Sequence, residues 1–473
     1  MRNYATHDNH YVDPTMTTLP REIFKAYDIR GIVGRTLTPE IVRAVGRAVG
    51  SLARERGSTS FAIGRDGRLS GPELLSALSE GIRAAGIDVI DVGMVATPMT
   101  YFAAHHLRTG CSVMVTGSHN PPDYNGLKMV VAGDTLSGDD IQALRIRIEG
   151  GQLSSGQGNY RTVDIAPAYL ERIVADVKLA RPLKIAVDCG NGVAGAFAPE
   201  LYTRMGCTVV PLYCDVDGTF PNHHPDPSQP DNLRDLIKRL EQGDCDLGLA
   251  FDGDGDRLGV VTREGHVIYA DRQLMLFAAD LLERQPGATI IYDVKSTRNL
   301  KPWIVRHGGV PLLWKTGHSL IKGKMKEVHA ALAGEMSGHT FFGERWYGFD
   351  DGLYAGARLL EILSRHANPS AVLDGLPDAL STPELNVQCA EGEAHALIDR
   401  MAETETFPGS SEVIRVDGLR VEYADGFGLA RASNTTPVIV LRFEADNAAA
   451  LARIQNDFRA VLARAKPGAA LPF

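Results

Sequence analysis

Short apolar runs recur along the chain, and each gives way to a polar loop and then to a helical pattern. The first covers residues 60–66, followed by Pro72-Glu73-Leu74-Leu75 and a helical periodicity to Ala85. The second covers residues 183–188, followed by the turn Gly190-Asn191-Gly192 and a helix through Leu201. The third covers residues 289–295, with Ser296 as the expected N-cap of the next helix. Each run opens a stretch of about 100 residues with further strand and helix patterns, and repeated βα units predict several α/β domains with mainly parallel sheets. The tail reads differently. Residues 413–416 and 419–423 form strands around the Asp417-Gly418 turn, residues 437–443 form another strand, and residues 446–465 form one amphipathic helix. That pattern predicts a C-terminal α+β domain. The expected divisions are 21–163, 164–266, 267–378 and 379–473, after a polar leader over residues 1–20 that reads as disordered.

Composition changes this picture little. The 473 residues exceed one ordinary core, and 44% hydrophobic with 23% charged residues suits a globular protein. A net charge of −9 argues against wrapping nucleic acid or an anionic membrane, while leaving room for a local basic pocket. No apolar stretch reaches the length of a membrane span, and the leader lacks the apolar segment of a secretory signal. The six cysteines are scattered without a CxxC pair, which fits reduced thiols and a cytoplasmic location.

Two loops carry the chemistry. Thr116-Gly117-Ser118-His119-Asn120-Pro121 follows the buried-strand pattern of residues 111–115 and places a serine beside a histidine at the mouth of a sheet. A serine hydroxyl attacks phosphorus poorly unless its proton is removed or the acceptor's charge is neutralised. On the hexapeptide alone, a serine that merely satisfies a turn is an equal reading. Asp252-Gly253-Asp254-Gly255-Asp256-Arg257 lies between apolar strands at 247–251 and 258–261. Its glycines allow turns that aim three carboxylates at one point, and hard oxygen ligands favour magnesium, manganese or calcium over zinc. The loop does not fit an EF-hand: Arg257 stands where glycine is needed, and Arg263 where glutamate is needed.

Together with Gly334-Glu335-Met336-Ser337-Gly338-His339 and Arg431-Ala432-Ser433-Asn434-Thr435-Thr436, these loops resemble the α-D-phosphohexomutase superfamily, and within it the bacterial phosphomannomutase/phosphoglucomutase branch. The resemblance runs from about Phe24 to the C-terminus with the four loops in order. It implies four domains around a central active-site cleft, with Ser118 as the phosphoserine. It implies one Mg2+ per chain on Asp252, Asp254, Asp256 and a phosphoserine oxygen, and glucose 1,6-bisphosphate as activator. Glu335 and Ser337, with His339 in the same loop, would read vicinal sugar hydroxyls. Arg431, Ser433, Asn434 and Thr435 would hold the non-reacting phosphate. Tyr27 and Arg30 resemble an N-terminal phosphate contact, and Lys295 and His318 resemble substrate contacts. His119 and Arg257 would add hydrogen bonds to the transferring group. Lys128, Arg257 and His318 are the candidate proton carriers, arginine being the poorest because of its high pKa.

The implied activity interconverts hexose 1-phosphates and hexose 6-phosphates of mannose and glucose through a reorienting 1,6-bisphosphate. Partners would be phosphosugars, with no nucleic acid or membrane; a monomer is expected, with a dimer open. A glucosamine-phosphate mutase, a bisphosphate-binding regulator and a serine phosphatase are the rival readings. Met336 and Gly117 point away from the first, whose members tend to carry glutamine and alanine there.

Overall fold

The computed structural model describes residues 19–390, 392–434 and 436–473; most of the expected leader, residues 1–18, lies outside them. Two compact units result: one holds the chain before Ala96 with Thr100–Ile165, the other Ala96–Met99 with Ala166–Phe473.

In the first unit the apolar run at 60–65 becomes strand Ser60–Arg65, flanked in parallel by Asp88–Met94 and Ser112–Val115. Ser112–Val115 is buried throughout, which is why it reads as a continuous apolar run. Tyr124–Val131 returns antiparallel beside it, and Ile29–Ile32 pairs antiparallel with that return strand. Helix Pro39–Glu55 starts where Thr38 accepts the Ile41 N–H, and it buries Val42, Val45 and Val49 against this sheet's core.

Among the described residues the second unit contains three sheets. Lys184–Asp188 lies parallel to Thr208–Leu212 and to Leu247–Phe251, and Leu258–Thr262 returns antiparallel. Thr289–Asp293 lies parallel to Val310–Trp314 and Leu332–Gly334, with Thr340–Phe342 antiparallel. One strand order thus occurs three times among the described residues, with the second, first, third and fourth strands side by side and only the fourth reversed. The C-terminal sheet is antiparallel throughout and packs helices Glu393–Thr404 and Ala448–Ala465 against an apolar core.

Local expectations differ at two helix starts. Ser296 caps nothing: its hydroxyl donates to Asp293 Oδ1 at 2.7 Å, and the helix begins at Leu300. After Gly192 the chain first makes the tight turn Val193–Ala196. The α-helix then spans Ala198–Arg204, with proline in its first turn.

Candidate active site

The repeated topology puts the chemistry in equivalent places. In each of the three related sheets, the connection from the third strand to the reversed fourth strand is one of the motif loops: Ser118 in the first, Asp252–Arg257 in the second, Glu335–His339 in the third. A short return can join only antiparallel neighbours, so the reversed strand is what makes each loop a tight, sheet-anchored turn.

In the first unit Ser118 is buried and has a left-handed backbone, φ +49°, uncommon for a non-glycine residue. Two buried residues that the sequence reading did not single out hold it there. Asp66 accepts the Thr116 hydroxyl at 2.8 Å and the Gly117 N–H at 3.2 Å, while Thr116 Oγ1 accepts the Ser118 N–H at 2.8 Å. Arg68 donates to the carbonyls of Ser118 at 2.8 Å, Asn120 at 2.6 Å, Pro121 at 2.6 Å and Tyr124 at 3.0 Å. Its side chain is fully buried beside Asp66. His119 Nδ1 lies 3.2 Å from Ser118 Oγ. Arg30 donates to the Gly117 carbonyl and to Asp28, and its strand pairs Arg30 with Gly126. Lys128 is buried on the strand returning from the loop, opposite Met114. Tyr27 is half-buried just before the Arg30 strand.

In the second unit Asp252, Asp254 and Asp256 are completely buried, and an oxygen of each lies within 4.8 Å of the others. Three buried, converging carboxylates are costly without a cation, and an all-oxygen donor set fits a hard divalent ion. Gly255, at φ +76°, makes the turn between the second and third carboxylates. Thr97 Oγ1 donates to Asp254 Oδ2 at 2.5 Å, and the Thr97 N–H to the Asp254 carbonyl at 2.9 Å. The Arg257 N–H donates to Asp252 Oδ1 at 3.2 Å, and its guanidinium lies 3.7 Å from the same carboxylate.

The acidic loop is joined edge to edge to the third motif loop. Arg257 and His339 form an antiparallel bridge, and the Leu258 N–H donates to the Gly338 carbonyl at 3.2 Å. His339 sits between Asp256, 3.3 Å from Nε2, and Glu335, 3.2 Å from Nδ1. Burial, the largest effect, lowers its pKa, but the Asp256 and Glu335 carboxylates together more than offset it, and the imidazole is pushed up to about 9. Arg257 Nε also approaches His339 Nε2 at 3.3 Å. Burial raises the Glu335 pKa, but His339 and the Gly317 N–H, 2.5 Å away, outweigh it; the net shift is downward and the group is an ionised acceptor. Ser337 Oγ lies 3.0 Å from His339 Nδ1.

Asp293, at the end of its strand, organises the surrounding loops. It accepts the Ser296 hydroxyl, the Thr316 hydroxyl at 3.0 Å and the Met336 N–H at 3.2 Å, and so ties the Lys295, His318 and Glu335 loops together. His318 faces His339 with ring centres 5.6 Å apart, and buried Asp350 lies 3.8 Å from each imidazole. Lys295 donates to Glu384 at 2.9 Å. Arg431 Nε donates to Asp417 Oδ2 at 3.0 Å, and that oxygen also takes the Thr316 N–H at 3.0 Å. Ser433 Oγ lies 3.0 Å from Thr436 Oγ1, Asn434 is half-buried, and Thr435 lies outside the described residues.

Family models cover nearly the whole chain in four consecutive pieces. They are the phosphoglucomutase/phosphomannomutase alpha/beta/alpha domains I, II and III, over residues 21–154, 167–265 and 269–379, and the C-terminal domain over residues 384–461. The chain belongs to the phosphoglucomutase/phosphomannomutase family. A phosphoglucomutase of Neisseria meningitidis is 60% identical over 450 residues, covering 94% of this chain and 98% of that protein. A phosphomannomutase/phosphoglucomutase of Pseudomonas aeruginosa is 56% identical over 457 residues, covering 96% and 98%. A crystal structure of a family protein from Burkholderia thailandensis superposes with a TM-score of 0.92 at 59% identity, covering 96% of this chain and all of that one. Within this family fold, the residues that the motifs did not announce (Asp66, Arg68, Thr97, Asp293, Asp350 and Asp417) are mostly carboxylates or their partners at strand ends and turns. The charged Arg65-Asp66-Gly67-Arg68 string closing a buried strand was the one visible signal.

Proposed function

We propose that the protein is a phosphohexomutase that interconverts the 1-phosphates and 6-phosphates of glucose and mannose through a phosphoserine at Ser118. The observation that carries this reading is the threefold placement of chemically different loops at one topological position: a nucleophile, a cation cradle and a hydroxyl-reading pair. A chain that both transfers phosphate and recognises sugar needs all three.

Phosphoserine 118 gives its phosphoryl group to O6 of a hexose 1-phosphate, forming the 1,6-bisphosphate. The sugar turns around, and Ser118 Oγ takes back the phosphoryl group from O1, leaving hexose 6-phosphate. A divalent cation, Mg2+ by donor chemistry, would be held by Asp252, Asp254 and Asp256 and would offset charge on the transferring group. Glu335 accepts, and Ser337 exchanges, hydrogen bonds with vicinal hydroxyls. A pair reading O3 and O4 ignores C2, the one centre at which glucose and mannose differ. Arg431, Ser433, Asn434 and Thr435 hold the phosphate that is not reacting, which makes the second transfer effectively intramolecular. Lys128 and His318 are the proton carriers at the sugar oxygen, with Arg30, Tyr27, His119, Arg257, Lys295 and His339 orienting phosphate and sugar. The activator is glucose 1,6-bisphosphate, and the location cytoplasmic. A phosphopeptide map after incubation with glucose 1,6-bisphosphate tests the covalent step. Phosphate on Ser118 is expected; phosphate elsewhere or nowhere overturns the assignment.

A further inference from the structure

The mutase reading leaves two sulfur atoms unexplained. Cys189 follows strand Lys184–Asp188 and Cys214 follows the neighbouring parallel strand Thr208–Leu212. Their Sγ atoms are 3.7 Å apart, in van der Waals contact. Backbone hydrogen bonds already zip the two turns together: Cys189 N–H to the Leu212 carbonyl at 3.1 Å, Asn191 N–H to Tyr213 at 2.8 Å and Asp217 N–H to Asn191 at 3.0 Å. Both turns carry a non-glycine residue at positive φ, Asn191 and Tyr213. Cys189 is buried, whereas Cys214 is partly open to solvent. The Cys189 turn also leans on the acidic loop. The Val193 N–H donates to the Gly253 carbonyl at 3.1 Å, and a Cβ at Gly192 would lie 2.9 Å from Gly253 Cα.

We propose that Cys189 and Cys214 are a peroxide-oxidisable dithiol whose reversible disulfide loosens the metal-holding loop beside it. The Cys214 thiolate attacks a peroxide oxygen and the O–O bond breaks, leaving Cys214 sulfenic acid and, after proton uptake, water. The Cys189 sulfur then attacks the Cys214 sulfur. The S–S bond forms, the S–O bond breaks, and the hydroxyl leaves as water with the Cys189 proton. Two thiols lose two electrons and one peroxide becomes two waters. The contact from Cys214, together with burial, raises the Cys189 pKa, which assigns the first attack to the more accessible Cys214. Bond formation shortens the sulfur separation by about 1.6 Å, toward a disulfide length of about 2.05 Å. A turn held by so many backbone bonds transmits that shift to Gly253 and hence to the Asp252 and Asp254 ligands.

The test uses the full chain, reduced and then exposed to hydrogen peroxide, with non-reducing peptide mapping, a thiol count and Mg2+ titration by calorimetry. The expected result is a Cys189–Cys214 cross-linked peptide and loss of two of the six thiols, both reversed by dithiothreitol. Mg2+ affinity should fall on the order of tenfold. Cys214→Ala should form no cross-link and keep its Mg2+ affinity after peroxide; Cys189→Ala serves as the second variant. A map without the cross-link overturns the proposal, as does a cross-linked protein with unchanged Mg2+ binding. The cross-link does not depend on the mutase reading, whereas the Mg2+ arm rests on the reading of the acidic loop as a metal site.

Discussion

Gly117→Ala is expected to cripple the Ser118 loop through Arg68. A Cβ at Gly117 would lie 2.3 Å from Arg68 Cζ and Nε, against an ordinary contact of 3.4 Å or more, so the guanidinium must retreat by about 1 Å. A side-chain end usually yields cheaply, but this one is fully buried and its four carbonyl bonds measure 2.6–3.0 Å. A retreat of that size stretches at least two beyond bonding distance, at about 1.5–3 kcal/mol each for a charged donor, or about 3–6 kcal/mol in the loop. Displacing the nucleophile by the same distance lowers kcat/KM for glucose 1-phosphate by about 100-fold. The cycle with Arg68→Ala isolates the cause. Arg68→Ala alone is strongly destabilising, at about 3–5 kcal/mol, because buried Asp66 loses the neighbouring guanidinium charge and four loop carbonyls lose their donor. In that background Gly117→Ala should add less than about 1 kcal/mol, a coupling of about 2 kcal/mol or more by denaturant unfolding and initial rates. Effects that add within about 0.5 kcal/mol would refute the reasoning.

Three further expectations follow from the same geometry. Thr97→Val removes the hydroxyl that holds Asp254 and should weaken Mg2+ binding about 10-fold by calorimetry with the fold intact; unchanged affinity would remove Thr97 from the metal shell. Glu335→Gln keeps the shape but loses the charge, and should raise KM for glucose and mannose 1-phosphates alike, by about 10-fold or more; a loss confined to one sugar contradicts the O3/O4 reading. Asp351→Ala removes the cap that accepts the Tyr354 N–H and takes a buried carboxylate acceptor from the Tyr169 hydroxyl and the Trp346 N–H; it should cost about 3–5 kcal/mol of unfolding free energy, and a loss below about 1 kcal/mol would contradict the burial argument.

The βα rhythm was legible because buried parallel strands read as continuous apolar runs, and the alternating tail because its strands pair antiparallel around Asp417-Gly418. The chemical loops were legible for another reason: glycines, carboxylates and a serine crowd positions that a plain turn would fill with less. What supports them was not. Asp66 and Arg68 act across some 50 residues of sequence on the Ser118 loop, and Asp293 reaches both Thr316 and Met336. Such contacts exist only once the sheets are assembled, and no local pattern encodes them. Ser296 shows the converse error: a residue with good capping chemistry was drawn off by a buried carboxylate three positions earlier. The contact of Cys189 with Cys214 likewise arises from strand neighbours far apart in the chain.

The most direct measurement is a coupled assay of glucose 1-phosphate and mannose 1-phosphate conversion, with Mg2+ and catalytic glucose 1,6-bisphosphate, for the natural chain and for Ser118→Ala. Turnover of both sugars by the former and its loss in the latter is the predicted result. A chain carrying phosphate on Ser118 that converts neither sugar, or a Ser118→Ala protein that still converts both, would contradict the account.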